Sequence, residues 1–132
     1  MMTDNYPNLQ QLLETICTLR GENGCPWDKK QTPASLVKYL KAETTELIEA
    51  ILNNDTANTC EELGDVFYIL IMITLHNQEL QNFRLADVFS EINEKLIRRH
   101  PHVFAGTSYN DESDLERQWK QIKSEEKQKK TI

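Results

Sequence analysis

Residues 61–79 read EELGDVFYILIMITLHNQE, and the conformation of this stretch decides the fold of the chain. The eight apolar residues Val66-Phe67-Tyr68-Ile69-Leu70-Ile71-Met72-Ile73 have the length of a buried strand, and periodicity alone does not separate that from a buried helix. The flanks do. Asn58 or Thr59 is a suitable N-cap, and Glu61 and Glu62 then place negative charge in a first turn, where the helix dipole favours it. No Gly or Pro interrupts the run after Gly64, and a polar helical continuation reaches Glu79. The segment is predicted as a helix, apolar on every side, of the kind found at the centre of a bundle or at a subunit interface.

Upstream, Leu36, Leu40, Leu47 and Ile51 recur at helical spacing across 35–52, after Thr32-Pro33 with Pro at a first helical position. Extending that stripe by one turn from Leu40 reaches Glu43, where another Leu is expected, and Glu46 and Glu49 continue the row. The helix over 61–79 repeats the anomaly, because the rows of Ile69 and Met72 lead back to Asp65 and Glu62. Two helices thus each present an i, i+3 carboxylate pair on a face that otherwise reads as core. Packed together, four carboxylates would repel one another and lose hydration. Between Ala42 and Phe83 there are eight carboxylates and no Lys or Arg to neutralise them. A divalent cation would do so, and an oxygen-only ligand set selects a hard ion, Mg²⁺ with Mn²⁺ as substitute, over zinc or copper. The bland alternative is an acidic face turned to solvent. A ferritin-like di-iron site needs Glu-x-x-His, and the residues three before His76, His100 and His102 are Ile73, Ile97 and Arg99, so that motif is absent.

The rest of the chain is helical in pattern too. Leu9, Leu12, Leu13, Ile16 and Leu19 mark a short helix ending near Gly21, and 22–32 reads as a loop in which Trp27 plugs the end of the bundle. Leu85, Val88, Phe89, Ile92, Leu96 and Ile97 mark another helix, stopped by Pro101. Residues 111–132 read as a solvated helix with a basic tail fraying from 127. With no strand signal and no internal repeat, the expectation is an all-α bundle of four to five helices, one domain over 1–132 with its core at about 9–126.

Composition limits the partners. The 132 residues are 39% hydrophobic and carry a net charge of −6, which disfavours generic binding to nucleic acid or anionic membrane. No apolar run is long enough to span a bilayer, and MMTDNYPNLQ lacks the basic and apolar regions of a secretory signal. Cys17, Cys25 and Cys60 form no C-x-x-C pair, and a reducing cytoplasm is the expected compartment. Two basic constellations lie outside the acidic helices: Lys95 and Arg99 at i, i+4 beside Arg98, and Trp119 and Lys123 at i, i+4. They read either as ordinary dipole complements and a hydrophobic anchor, or as a phosphate clamp with an aromatic face for a base or sugar.

Ordered blocks along the chain resemble one family. Cys25-Pro26-Trp27-Asp28, Gln31-Thr32, Ala42-Glu43-Thr44-Thr45-Glu46, Glu62-Leu63-Gly64-Asp65, Lys95 through Phe104, and Trp119-Lys120-Gln121-Ile122-Lys123 before Glu125-Glu126 are similar to the MazG-type nucleoside triphosphate pyrophosphohydrolases, from about Leu9 to Glu126. The resemblance implies an all-α fold assembled as an interlocked dimer or dimer of dimers. It also implies Mg²⁺-dependent cleavage of nucleoside triphosphates to monophosphate and pyrophosphate. By the same resemblance Glu43, Glu46, Glu62 and Asp65 are metal ligands, and Lys95, Arg99, Trp119 and Lys123 contact the nucleotide. Glu46 or Glu49 is then the carboxylate that takes the proton of the attacking water, and the sequence does not choose between them. Ala42 stands where the family pattern carries a first Glu, which leaves the number of metals open. A function of another class, a catalytically weak helical dimer that binds nucleotide or a partner protein as a regulator, is the alternative expectation.

Overall fold

The computed structural model describes residues 6–130 and is helical throughout, with no strand among the described residues. Seven helices follow in order: α1 Pro7–Arg20, α2 Pro26–Lys30, α3 Pro33–Leu52, α4 Thr56–Glu79, α5 Leu85–Arg99, α6 Pro101–Phe104 and α7 Glu112–Lys130. The expected count of four to five holds for the long helices alone. The five-residue α2, inside the stretch read as a loop, and the four-residue α6 add two. Both begin with Pro, as do α1 and α3; the missing N–H is no loss at a first helical position, and the fixed φ suits the first turn.

The described residues form two compact units that divide after Leu85. The first is organised by α3 and α4, its most extensively packed pair. Thr32 and Ser35 close a reciprocal box at the start of α3, with Ser35 N–H donating to Thr32 Oγ1 at 3.2 Å and Thr32 N–H to Ser35 Oγ at 2.9 Å. Asn54 takes a left-handed φ of 54°, and Asp55 N–H returns to the Ala50 carbonyl at 3.0 Å, so the chain reverses within three residues. Asp55, not Asn58 or Thr59, then caps α4 by accepting from Asn58 N–H at 3.1 Å. Glu61 and Glu62 consequently lie in the second turn rather than the first. The core is Ile16 of α1, Leu36 of α3, and Ile69, Ile71, Met72 and Leu75 of α4; Trp27 and Tyr39 pack against it and meet each other edge to face, ring centres 5.4 Å apart. Phe67 and Leu70 are exposed on α4, so that helix is not enclosed on every side by its own chain.

The α1–α2 junction turns tightly. A Cβ at Gly24 would come within 2.1 Å of the Leu19 carbonyl oxygen, so only glycine fits there. The turn delivers α2 to a polar clamp. Arg20, whose side chain is 3% exposed, forks onto both carboxylate oxygens of Glu79 at 3.1 Å and donates to the carbonyls of Asp28 at 2.8 Å and Gln31 at 3.2 Å. The buried Asp28 accepts from the Tyr68 hydroxyl of α4. Burial, reinforced by this bond and the charge of Asp28, holds the Tyr68 phenol protonated well above its usual range.

In the second unit no residue of α5, α6 or α7 is fully buried. Arg98 and Arg99 at the end of α5 both pair with Glu126 of α7. The α7 N-terminus is capped by Asp111, which accepts from Asp114 N–H at 3.0 Å. Helix α7 continues to Lys130, past the position where the sequence expectation has it fray; 131–132 lie outside the described residues.

Candidate functional site

Glu43 of α3 and Glu62 and Asp65 of α4 converge, and each offers a carboxylate oxygen such that the three atoms lie within 4.8 Å of one another. Ligand oxygens about 2.1 to 2.4 Å from one ion are separated by at most about 4.8 Å, so this spacing suits a single hard divalent cation. Glu62 is buried, and Glu43 and Asp65 are half-buried. One oxygen each of Glu43 and Glu62, Oε2 in both, is shut off from solvent with no hydrogen-bond partner. Acceptors orphaned in this way are costly unless something positive reaches them.

The electrostatics agree. Burial, then the charge of Glu46 and its hydrogen bond, then the bond with Glu43 and the charge of Asp65, push Glu62 from 4.5 up to about 7. Burial and the charges of Glu46 and Asp65 raise Glu43 as well. Near neutral pH, Glu62 therefore holds a proton for much of the time, which lowers the negative charge that a cation would otherwise offset. Glu46 is exposed and is not one of the three convergent ligands, but its charge acts on both Glu43 and Glu62. Glu49 is exposed one turn further along α3. Together, the oxygen-only donor set, the orphaned acceptors and the lack of any Lys or Arg between 42 and 83 fit a hard divalent ion.

The cationic and aromatic candidates belong to the second unit. Arg99 is held by Glu126, which accepts from its Nε at 3.2 Å and its Nη2 at 2.9 Å, and Arg98 Nε adds a bond at 2.7 Å. These bonds, that of Arg99 foremost, hold the Glu126 carboxyl down at about 2. Lys95 is half-buried one turn before Arg99. Lys123 Nζ sits 4.7 Å from the centre of the Trp119 ring, a cation–π contact, and Trp119 is 43% exposed rather than an anchor sunk into a core.

A family model described as the MazG nucleotide pyrophosphohydrolase domain matches residues 31–104. The chain belongs to the MazG family. It is 41% identical over 123 residues to the nucleoside triphosphate pyrophosphohydrolase of Escherichia coli strain K12, covering 92% of this chain and 47% of that protein. It is 45% identical over 127 residues to the nucleoside triphosphate pyrophosphohydrolase/pyrophosphatase MazG of Thermotoga maritima, covering 92% and 46%. The chain spans about half the length of these curated relatives. A crystal structure of a mazG-related protein from Thermotoga maritima aligns with a TM-score of 0.71 at 30% identity, over 90% of this chain and 99% of that one.

Within this MazG-family chain, the matched region contains Glu43, Glu46, Glu49, Glu62, Asp65, Lys95 and Arg99, whereas Trp119 and Lys123 lie beyond it. Sequence reasoning missed the clamp of Asp28, Arg20 and Tyr68, which fastens α4 one turn past Asp65. A signal existed: Tyr68 is the one hydroxyl in an eight-residue apolar run, and a half-buried phenol needs an acceptor. His100 and His102 flank Pro101, the residue that stops α5. His100 Nδ1 lies 2.5 Å from the Leu96 carbonyl, and the His102 ring packs edge-on to Tyr109 at 5.5 Å.

Proposed function

We propose that this chain is a Mg²⁺-dependent nucleotide pyrophosphohydrolase that cleaves nucleoside triphosphates to monophosphate and pyrophosphate, with residues 1–132 acting as one MazG-type domain. The observation that carries the reading is the convergence of Glu43, Glu62 and Asp65 with two orphaned buried oxygens and a Glu62 carboxyl raised to about 7. Membership of the MazG family and the activity named for its relatives support it.

In this mechanism Glu43, Glu62 and Asp65 would hold the ion, with Glu46 beside them. When bound, the ion supplies a Lewis acid for the α-phosphoryl group and makes water a competent nucleophile at neutral pH. Glu62 would have to give up its proton for all three ligands to be charged. Glu46 or Glu49 takes the proton of the attacking water; the charge of Glu46 already reaches Glu43 and Glu62. Lys95, Arg99 and Lys123 neutralise the departing pyrophosphate, and Trp119 provides a face for the base. Arg99 presents a fixed guanidinium plane because Glu126 holds it along one edge.

The assembly in this reading is a homodimer or homotetramer. Phe67 and Leu70 on α4, and Phe89, Ile92 and Leu96 on α5, each expose 43% or more of their surface in the single chain, and a second copy would cover them. No helix among the described residues is long and apolar enough to cross a membrane, and the cytoplasm is the proposed compartment.

The test is pyrophosphate release from a panel of ribo- and deoxyribonucleoside triphosphates, with Mg²⁺ and with chelator. The account expects release that requires the metal and falls at least 100-fold in Glu43→Ala and Glu62→Ala. Nucleotide binding without turnover on every substrate would overturn it.

A further inference from the structure

The second unit contains a cavity of about 370 Å³ lined by Arg99, His100, His102, Leu115, Glu116 and Trp119. This volume is at the small end of the range for ligand sites and suits a nucleoside better than a larger ligand. Two of its residues are those assigned to nucleotide contact. The other four have no role in the reaction as described, and their chemistry is not neutral.

Glu116 contributes a carboxylate, which when ionised only accepts hydrogen bonds and can accept two side by side. His100 lines the same wall and is tied back to its own backbone, with Nδ1 2.5 Å from the Leu96 carbonyl. The Trp119 indole gives a broad aromatic surface, and the Arg99 guanidinium is fixed by Glu126. The cavity thus combines a stacking surface, a cation for phosphate and a carboxylate acceptor.

We propose that this cavity is the base-recognition subsite and that it selects guanine, with Glu116 accepting from the N1–H and the amino group of the base. The proposal rests on the pyrophosphohydrolase reading above. Among the common bases only guanine presents two adjacent donors on its pairing edge. Adenine and cytosine set a ring-nitrogen lone pair beside their amino group, and uracil flanks its single N–H with carbonyl oxygens. Against a carboxylate each of those three places at least one acceptor opposite an acceptor, which costs affinity as an unmatched polar contact. Stacking on Trp119 favours the larger purine ring.

The experiment measures equilibrium binding of guanosine, inosine, adenosine, cytidine and uridine monophosphates to the full chain at pH 8 without divalent ion, by calorimetry. The expected order is guanosine monophosphate at least tenfold tighter than the adenosine, cytidine and uridine compounds, with inosine monophosphate, which keeps N1–H but lacks the amino group, between them. Glu116 is exposed, so Glu116→Gln should fold as the parent does, checked by an unchanged melting temperature. In that variant one carboxylate acceptor becomes a donor. The guanosine preference should shrink to threefold or less, and adenosine monophosphate should gain, because a carboxamide pairs with adenine's donor and acceptor together. Five affinities within twofold of one another, no measurable binding of any, or an undiminished guanosine preference in Glu116→Gln would overturn the assignment. Base selectivity without triphosphate cleavage would sink the catalytic reading alone, and cleavage indifferent to the base would sink this one alone.

Discussion

Because a proton and a metal ion compete for Glu62, the affinity for Mg²⁺ should depend steeply on pH. Burial and the neighbouring Glu46, Glu43 and Asp65 hold this carboxyl at about 7 in the metal-free protein, against 4.5 for an ordinary glutamate. Binding must release that proton, so the apparent dissociation constant is multiplied by one plus the ratio of protonated to ionised Glu62. With a value of about 7, that factor is about 11 at pH 6 and about 1.1 at pH 8, a tenfold loss of affinity over two pH units. Below pH 6 the slope approaches one decade per unit. A glutamate with an ordinary value would give no change across the same window. The stability of the metal-free protein runs in the opposite sense. With its folded value raised, Glu62 contributes stability that is full below about 4.5 and is lost as pH rises through about 7. Titration calorimetry with Mg²⁺ from pH 5.5 to 8.5, in two buffers of different ionisation enthalpy, reads both the affinity and the proton released. In Glu62→Gln the residual binding should be weak and nearly flat across this range. A pH-independent affinity in the parent protein, or binding with no proton released at pH 6, would refute the reasoning.

Other substitutions separate the parts of the molecule. Glu126→Gln removes the charge partner of Arg98 and Arg99, so in triphosphate kinetics KM should rise about five- to tenfold while kcat falls less than twofold; an unchanged KM would show that Arg99 needs no such support. With its carboxyl held at about 2, Glu126 contributes stability that is present above about 4.5 and lost as pH falls through about 2, so the urea-unfolding midpoint of Glu126→Gln should depend less on pH in that window than the parent's. Tyr68→Phe leaves the buried Asp28 without its phenol donor and should cost about 1–3 kcal/mol in urea unfolding, whereas a loss under about 0.3 kcal/mol would mean the contact is dispensable. Gly64 lies inside α4 with open space around its missing Cβ, so Gly64→Ala should stabilise the chain by about 0.5–1 kcal/mol; destabilisation would reveal a close neighbour at that face.

Much of the first unit was legible because its signals are local. Thr32-Pro33 announces α3 through a cap and a fixed φ, and both features are present in the structure. The carboxylates were legible because they occupy slots in an otherwise apolar row, and a row is a property of sequence spacing. Glu43, Glu62 and Asp65 do converge; Glu46 is not among the three convergent ligand atoms, although its charge acts on Glu43 and Glu62. Helix α2 escaped notice because five residues are too few to display a helical period. The α4 cap moved upstream to Asp55 because the left-handed Asn54 ends α3 at once, and nothing in the residue types ranks Asp55 above Asn58 for that task. The apolar run over 66–73 was expected to be enclosed, yet Phe67 and Leu70 are exposed, because the chain's own helices cover only part of it. The cavity beside Trp119 could not be anticipated. It brings His100 and His102, at the start of α6, together with Glu116 of α7 across the intervening turn, and no periodicity links those positions.

A crystal of the chain grown with Mn²⁺ in place of Mg²⁺ and a non-hydrolysable triphosphate, with anomalous data collected at the manganese edge, reaches the central claim most directly. A strong anomalous peak is expected, bonded at about 2.2 Å to oxygens of Glu43, Glu62 and Asp65, with a phosphate oxygen among the remaining ligands. Manganese bound elsewhere, or these three carboxylates turned apart into solvent with the nucleotide in place, would contradict it.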